Sequence, residues 1–452
     1  MTDTATPCDL VERHAAPLPR YTSYPTANHF SPSIDAAAYG QWIAALPDGA
    51  ALSLYLHIPY CRELCWYCGC STKAVRRYEP VESYLDLLCA EISAVARRLP
   101  TRHRVTHVHF GGGSPDILSP ADIIRLGAEI RGAFEIDRAA EIAVEIDPRL
   151  LDEARAEAFA SIGVNRVSIG VQDFDQKVQR AIGRVQSYDT TRRAVELFRA
   201  RGVGSINVDL VYGLPHQTVE SVTRTIREVL SLAPDRIAIF GYAHLPSRLK
   251  HQRLIDAAAL PGPGGRHRQS TRLAEILIAA GYLQLGLDHF ARSGDRLASE
   301  ALNRNFQGYT TDQADALIGL GASAISRLPQ GYAQNAVATD DYGRRLEAHG
   351  LATQRGFRLT ADDRLRAFVI ERLMCDFAFS SREIVRRFGS RSAPVLDEAE
   401  ALIEGDRDGL VQRTSDGFRM TDRGRPFVRN VCARFDAYLD PDTARRRHAM
   451  SV

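Results

Sequence analysis

At 452 residues the chain is too long for one small domain and fits two or three. With 45% hydrophobic and 25% charged residues it can bury a sizeable core, which excludes a disordered chain. A net charge of +2 excludes a global basic field for nucleic acid, and no apolar run approaches the ~20 residues needed to cross a bilayer. A cytoplasmic protein with reduced thiols is expected.

Met1 to Pro19 is polar, lacks an apolar signal core and reads as a mobile leader. Pro19-Arg-Tyr-Thr-Ser-Tyr-Pro-Thr-Ala27 follows. Its prolines fix φ and block a helix, so it reads as an extended, aromatic strap. Such a strap either packs over the core or gates a pocket mouth, with Arg20 meeting an acid group.

From residue 51 strands and helices alternate. Strands are predicted over 51–58, 105–110, 141–147, 164–171, 205–211 and 236–240. Helices are predicted over 81–99, 120–134, 150–162, 175–182, 190–201, 218–232 and near 269–280. Ser119 should cap the helix that opens on Pro120. Six βα units mean a parallel sheet, either doubly wound or a partial barrel. Both bind ligands at the carboxyl ends of the strands. Past residue 285 the stretches at 288–291 and 304–311 read as Gly- and aromatic-rich loops. Beyond 359, helices precede a short hairpin over 409–421, a winged-helix-like arrangement. The expected domains are a leader and strap over 1–50, the α/β barrel over 51–285, a loop-rich extension over 286–358, and a mainly helical lid over 359–452.

The chemistry concentrates just after the first strand, where four of the eight cysteines fall between Cys61 and Cys70. Zinc knuckles use paired Cys-x2-Cys units; this loop reads Cys61-x3-Cys65-x2-Cys68 with Cys70 following and no second pair. Soft thiolates in a tight loop suit an iron–sulfur cluster. Three cysteines on a four-iron cubane leave one iron open, which a catalytic cluster needs. The alternatives are a structural zinc site and a fully ligated electron-transfer cluster that uses Cys70.

The loop, with Tyr55-Leu-His57-Ile-Pro-Tyr60 before it, resembles the cluster motif of the radical S-adenosylmethionine enzymes. More specifically, the chain resembles the oxygen-independent coproporphyrinogen III oxidases. The matching motifs are PRYTSYPT at 19–26, CGC at 68–70, EIDPR at 145–149, GVQDF at 170–174, NVDLVYGLP at 207–215, YAHLP at 242–246, DHFA at 288–291 and RNFQGYTT at 304–311. The resemblance implies a partial (βα)6 barrel whose Cys61, Cys65 and Cys68 hold a 4Fe-4S cluster. It also implies two S-adenosylmethionine molecules per chain. Tyr55, Gly112 and Glu145 match contacts to the cluster-bound one. Tyr67, Gly113, Ser114, Gln172, Arg184 and Asp209 match contacts to the second, and Ala243 and Leu328 match further lining positions. The implied reaction uses a 5′-deoxyadenosyl radical to convert two propionates of coproporphyrinogen III into vinyl groups, giving protoporphyrinogen IX in haem biosynthesis. A flavodoxin-type or other electron donor and a monomeric chain are implied as well.

The family reading leaves Cys70 outside the cluster as a buried free thiol. The substrate's four propionates need cationic groups around the pocket, and Arg20 is the candidate. Two departures stand out. Ser114 replaces the family's usual threonine, keeping the hydroxyl, and the stretch from Asp295 to Arg304 is short for the family. Three other readings compete: a related radical enzyme acting on another tetrapyrrole or natural product, a haem chaperone of the same superfamily, and a nucleic-acid-modifying enzyme. Chaperones lack the PRYTSYPT and CGC motifs. The C-terminal region mixes Arg386, Arg387 and Arg391 with Asp397, Glu398, Glu400 and Glu404, which is no nucleic-acid face.

Overall fold

The six strands form, and their order decides between the two architectures left open. In the computed structural model, which describes residues 7–440 and 450, they are β1 (Leu52–Ile58), β2 (Arg104–Gly112), β3 (Glu135–Ile146), β4 (Arg166–Gln172), β5 (Ser205–Tyr212) and β6 (Arg236–Gly241). They lie side by side in chain order, each pair parallel. A doubly wound sheet reverses direction at a switch point. This one never does, so it winds one way as a partial barrel. β1 is almost wholly buried, as a parallel strand covered on both faces must be. Val81, Leu85, Leu88 and Ile92 of helix Glu79–Ala96 join the same core as Leu54 and Leu56. Ser119 caps helix Pro120–Ala133 as expected, its hydroxyl accepting the Asp122 N–H at 3.2 Å.

The stretch expected to be loop-rich carries several short strands and the helix Thr339–His349. Leu283–Leu285 and His289–Ala291 add antiparallel strands beyond β6. At the other edge Ala316–Leu320 pairs parallel with β1, and three further antiparallel strands follow, ending at Thr353–Arg358. The sheet therefore has 12 strands. Residues 303–310 form a separate hairpin rather than a loop. These strands are too short to show a period, and Ala316 pairs with Leu52, far away in the chain.

The C-terminal region has helices Ala361–Asp376, Ser381–Phe388 and Ala393–Gly405 and the expected hairpin. Ala378–Ser380 joins that hairpin as a third strand. This region has its own core, into which Leu10, Val11, Tyr21 and Tyr24 insert. The leader reading is corrected accordingly. Residues 1–6 lie outside the described residues, but Pro7–His14 is a packed helix. The strap is tied down as well. Tyr21 donates to Asp436 at 3.1 Å, Tyr24 Oη accepts the Ala437 N–H at 3.0 Å, and Tyr332 donates to the Tyr24 carbonyl at 3.3 Å.

Candidate active site

β1 delivers the cysteine loop to the carboxyl rim of the barrel. Tyr60–Cys61 pairs with Lys73–Ala74, closing the intervening residues into a loop. Within it Cys68 N–H bonds the Cys65 carbonyl at 3.1 Å, and Trp66 N–H reaches Ile182 at 2.9 Å. The three cysteines open onto one cavity of about 680 Å³.

Each sulfur has its own donors. Thr72 Oγ1 lies 3.3 Å from Cys61 Sγ, and the Ser114 hydroxyl donates to the same sulfur at 3.6 Å. Arg149 and Arg184 donate to Cys65 Sγ at 3.7 and 3.6 Å. The Cys70 N–H donates to Cys68 Sγ at 3.4 Å. Hydrogen bonds from Cys70 pull the Cys68 thiol below its ordinary pKa, and the Cys70 thiol is pushed up in return. Among the described residues no three such ligands gather closely enough for one metal ion. A cubane asks for something different, one thiolate at each of three separate corners. Donors aimed at the sulfurs suit thiolates bound to iron.

The glycine turn touches this loop directly. Gly113 N–H bonds the Ile58 carbonyl and Ser114 N–H the Tyr60 carbonyl, both at 2.8 Å. A Cβ on Gly113 would sit 2.4 Å from the Tyr60 carbonyl oxygen. At Gly112, with φ +111°, it would meet the His57 ring at 2.6 Å. Only glycine fits both positions.

Glu145, at the end of β3, accepts the Gly112 N–H at 3.2 Å and His109 Nε2–H at 3.0 Å. Burial alone would raise its carboxyl pKa; those donors outweigh it and hold the group below the ordinary range. Its position suits acceptance of sugar hydroxyls.

Arg184 and Arg149 share one carboxylate, Asp147. Arg184 grips it through two nitrogens at 3.1 and 3.2 Å and also donates to the Gly170 carbonyl at 2.7 Å. Gln172 follows a register shift in β4 and has φ +68°, a left-handed conformation that a glutamine keeps only when its surroundings impose it. Asp209 accepts from Ser168 at 2.5 Å and Asn207 at 2.8 Å, and burial raises its pKa. Arg20 enters from the strap and donates to the Gly241 carbonyl at 2.7 Å.

The cavity wall therefore gathers Cys61, Cys65, Cys68, Gly112, Gly113, Ser114 and Glu145. It also includes Tyr67, Gln172, Arg184, Asp209, Ala243 and Arg20. Two expected residues stand outside it. Leu328 ends an antiparallel strand of the sheet extension and is buried in the core, so it is corrected as a lining residue. Tyr55 lies one layer back, hydrogen-bonded to His57 Nδ1 at 3.0 Å and stacked on His109. Cys70 is exposed on the wall rather than buried.

Sequence reasoning missed His109, Asp147, Arg149 and Thr72. Asp147 and Arg149 lay inside the quoted EIDPR motif, so a signal existed. His109 precedes the glycine turn on β2, and nothing local marked it. The short stretch after Asp295 is pinned, because Asp295 caps Leu297 and pairs with Arg236 at 2.6 Å.

A one-way wound (βα)6 sheet carrying this loop and glycine turn on its rim defines a radical S-adenosylmethionine enzyme, and the Radical SAM superfamily model matches residues 55–229. The HemN C-terminal domain model matches residues 359–427. Similarity to individual proteins runs nearly end to end. The chain is 50% identical to the oxygen-independent coproporphyrinogen III oxidase of Bradyrhizobium diazoefficiens, covering 96% of this chain and 97% of that one. It is 45% identical to the enzyme of that name from Paracoccus denitrificans, covering 97% of each. The solved structure of coproporphyrinogen III oxidase (HemN) from Escherichia coli, described as a radical SAM enzyme, superposes with a TM-score of 0.88 at 39% identity. It covers 93% of this chain and 98% of that one. This chain belongs to the oxygen-independent coproporphyrinogen III oxidase family.

Proposed function

We infer that this protein catalyses the oxidative decarboxylation of two propionate side chains of coproporphyrinogen III to vinyl groups, giving protoporphyrinogen IX in haem biosynthesis. One observation carries the reading. A single cavity is walled by the three-cysteine loop, the glycine turn, Glu145 and the cationic strap residue Arg20, in a chain alike over its whole length to enzymes of that name.

Cys61, Cys65 and Cys68 would hold the 4Fe-4S cluster, with Cys70 left off it. With S-adenosylmethionine bound, the cluster supplies reductive cleavage of a sulfonium bond and hence a hydrogen-abstracting radical. The remaining chemistry falls to the residues of this chain. Thr72, Ser114, Arg149, Arg184 and the Cys70 N–H stabilise thiolate charge by hydrogen bonding. The Gly112–Gly113 turn lets backbone approach a nucleoside closely, and Glu145 accepts its hydroxyls. Gln172, Asp209 and Arg184 flank the space in which a second S-adenosylmethionine would lie. The strap and the C-terminal domain keep water from the reacting centre. The chain acts as a monomer and takes electrons from a flavodoxin-type or other reductant. Among the described residues no helix is long and apolar enough to cross a membrane.

The test is an anaerobic incubation of reconstituted protein with reductant, S-adenosylmethionine and coproporphyrinogen III. Protoporphyrin fluorescence after oxidation is expected. Cofactor cleavage with no porphyrin product would move the substrate assignment to another tetrapyrrole.

A further inference from the structure

The catalytic cavity does not end at Arg20. A second chamber of about 250 Å³ shares Arg20, Gly241 and Tyr242 with it. It lies where β6, helix Pro263–Ala279 and the C-terminal domain meet. Among the described residues five arginines line it, namely Arg20, Arg266, Arg304, Arg425 and Arg429, against the two carboxylates Asp288 and Asp422. Nothing in the reaction described above uses it.

Leaving Arg266 aside, the positive charge here is only partly answered among the described residues. Arg425 pairs with Asp422 at 3.2 Å, and Asp288 is bonded to His289 at 2.8 Å. Arg429 is only 7% exposed. Its Nη2 donates to the Met450 carbonyl at 2.7 Å, but its buried Nε has no partner among the described residues. Arg304 donates through Nη2 to the Arg20 carbonyl at 3.3 Å, while its buried Nε and Nη1 have none. Burial and the neighbouring Arg20 depress the Arg429 guanidinium to about 10. Buried donors left without acceptors are costly, and a guanidinium's planar fork matches a carboxylate. An anion placed here would meet the guanidiniums that line the chamber. The chamber is below the roughly 300–1,000 Å³ typical of pockets that hold a whole drug-sized ligand, so it suits side chains rather than a macrocycle.

We propose that this arginine chamber is a carboxylate site that receives propionate side chains of the tetrapyrrole other than the one facing the cysteine loop. It thereby orients the macrocycle across Arg20. The proposal rests on the substrate reading above, since a tetracarboxylate entering one cavity must place its other carboxylates nearby.

Equilibrium binding tests it without a cluster. Coproporphyrin III, the stable oxidised analogue, and its tetramethyl ester are titrated into the full chain by absorbance. The parent protein should bind the acid more tightly than the ester. Arg429→Met and Arg425→Gln should each weaken acid binding about tenfold, the size of one charge-assisted hydrogen bond, and leave ester binding unchanged. Arg425 is 47% exposed, so its variant should keep the fold, which a melting curve checks. Variants that bind the acid like the parent overturn the site. So does loss of inorganic phosphate binding in equilibrium dialysis with porphyrin binding intact, which marks a free-anion pocket. A parent that binds neither porphyrin overturns the substrate reading itself, a result distinct from unaffected variants.

Discussion

Two ionic clusters inside the barrel differ in how they balance. Toward the amino ends of the strands, Glu141 meets Arg166 at 2.7 Å and Arg236 at 3.4 Å, and Arg236 meets Asp295 at 2.6 Å. Two cations face two carboxylates, and the set is closed. At the carboxyl rim, Arg149 and Arg184 share the buried Asp147, Arg149 also reaches the solvent-exposed Glu63 at 3.4 Å, and each arginine donates to the Cys65 sulfur. Glu63 is 74% exposed, so within the buried part of that set two cations face one carboxylate until a thiolate completes it. The balanced cluster serves stability, and the unbalanced one is shaped for an anionic sulfur. His109 links the balanced cluster to Glu145, facing Arg166 through Nδ1 at 3.4 Å and Glu145 through Nε2 at 3.0 Å.

The strongest way to break the comparison is to remove the sulfurs. Cys61→Ser, Cys65→Ser or Cys68→Ser is expected to abolish porphyrin formation and to lower iron and sulfide content after anaerobic reconstitution. Normal iron in any of them would remove that cysteine from the cluster.

Next comes the rim arginine. Arg184→Ala leaves Asp147 to Arg149 alone and should cost about 1.5–3 kcal/mol in chemical denaturation, the scale of hydrogen bonds lost from a charged group. Arg184→Lys should recover part of that stability but not the activity, because lysine cannot make the two-nitrogen grip. Full activity in the lysine variant would show that charge alone matters there.

The closed cluster should show itself in acid. Burial would raise the Glu141 carboxyl pKa, but Arg166 and Arg236 overcome it and hold the group well below its ordinary 4.5. A depressed folded-state value stabilises the protein at every pH above 4.5, and that stabilisation drains away as pH falls below it. Glu141→Gln should therefore lower the melting temperature at pH 7 while flattening its dependence between about pH 5 and 2. Iron content at neutral pH should be nearly unchanged, in contrast to the cysteine variants.

A smaller effect is expected at the turn. Gly112→Ala forces a Cβ onto His57 at a φ that alanine resists, costing about 1–3 kcal/mol. The affinity for S-adenosylmethionine should fall with it. The smallest effect is expected at Cys70, where Cys70→Ser should leave iron stoichiometry unaltered. Loss of iron there would make Cys70 a ligand.

The sequence by itself determined the six parallel strands, the capped helices between them and the place of the cysteine loop. Those features are written in local periodicity, in turn residues and in cysteine spacing. Only the tertiary structure decided that the strands wind one way, that residues 316–358 extend the sheet beside β1, and that the N-terminal helix belongs to the C-terminal core. It also decided that His109, Asp147 and Arg149 surround the site, while Leu328 does not. The reason is physical. A strand of three to five residues and a single buried charge carry no period of their own, so their partners are fixed by contacts across hundreds of residues.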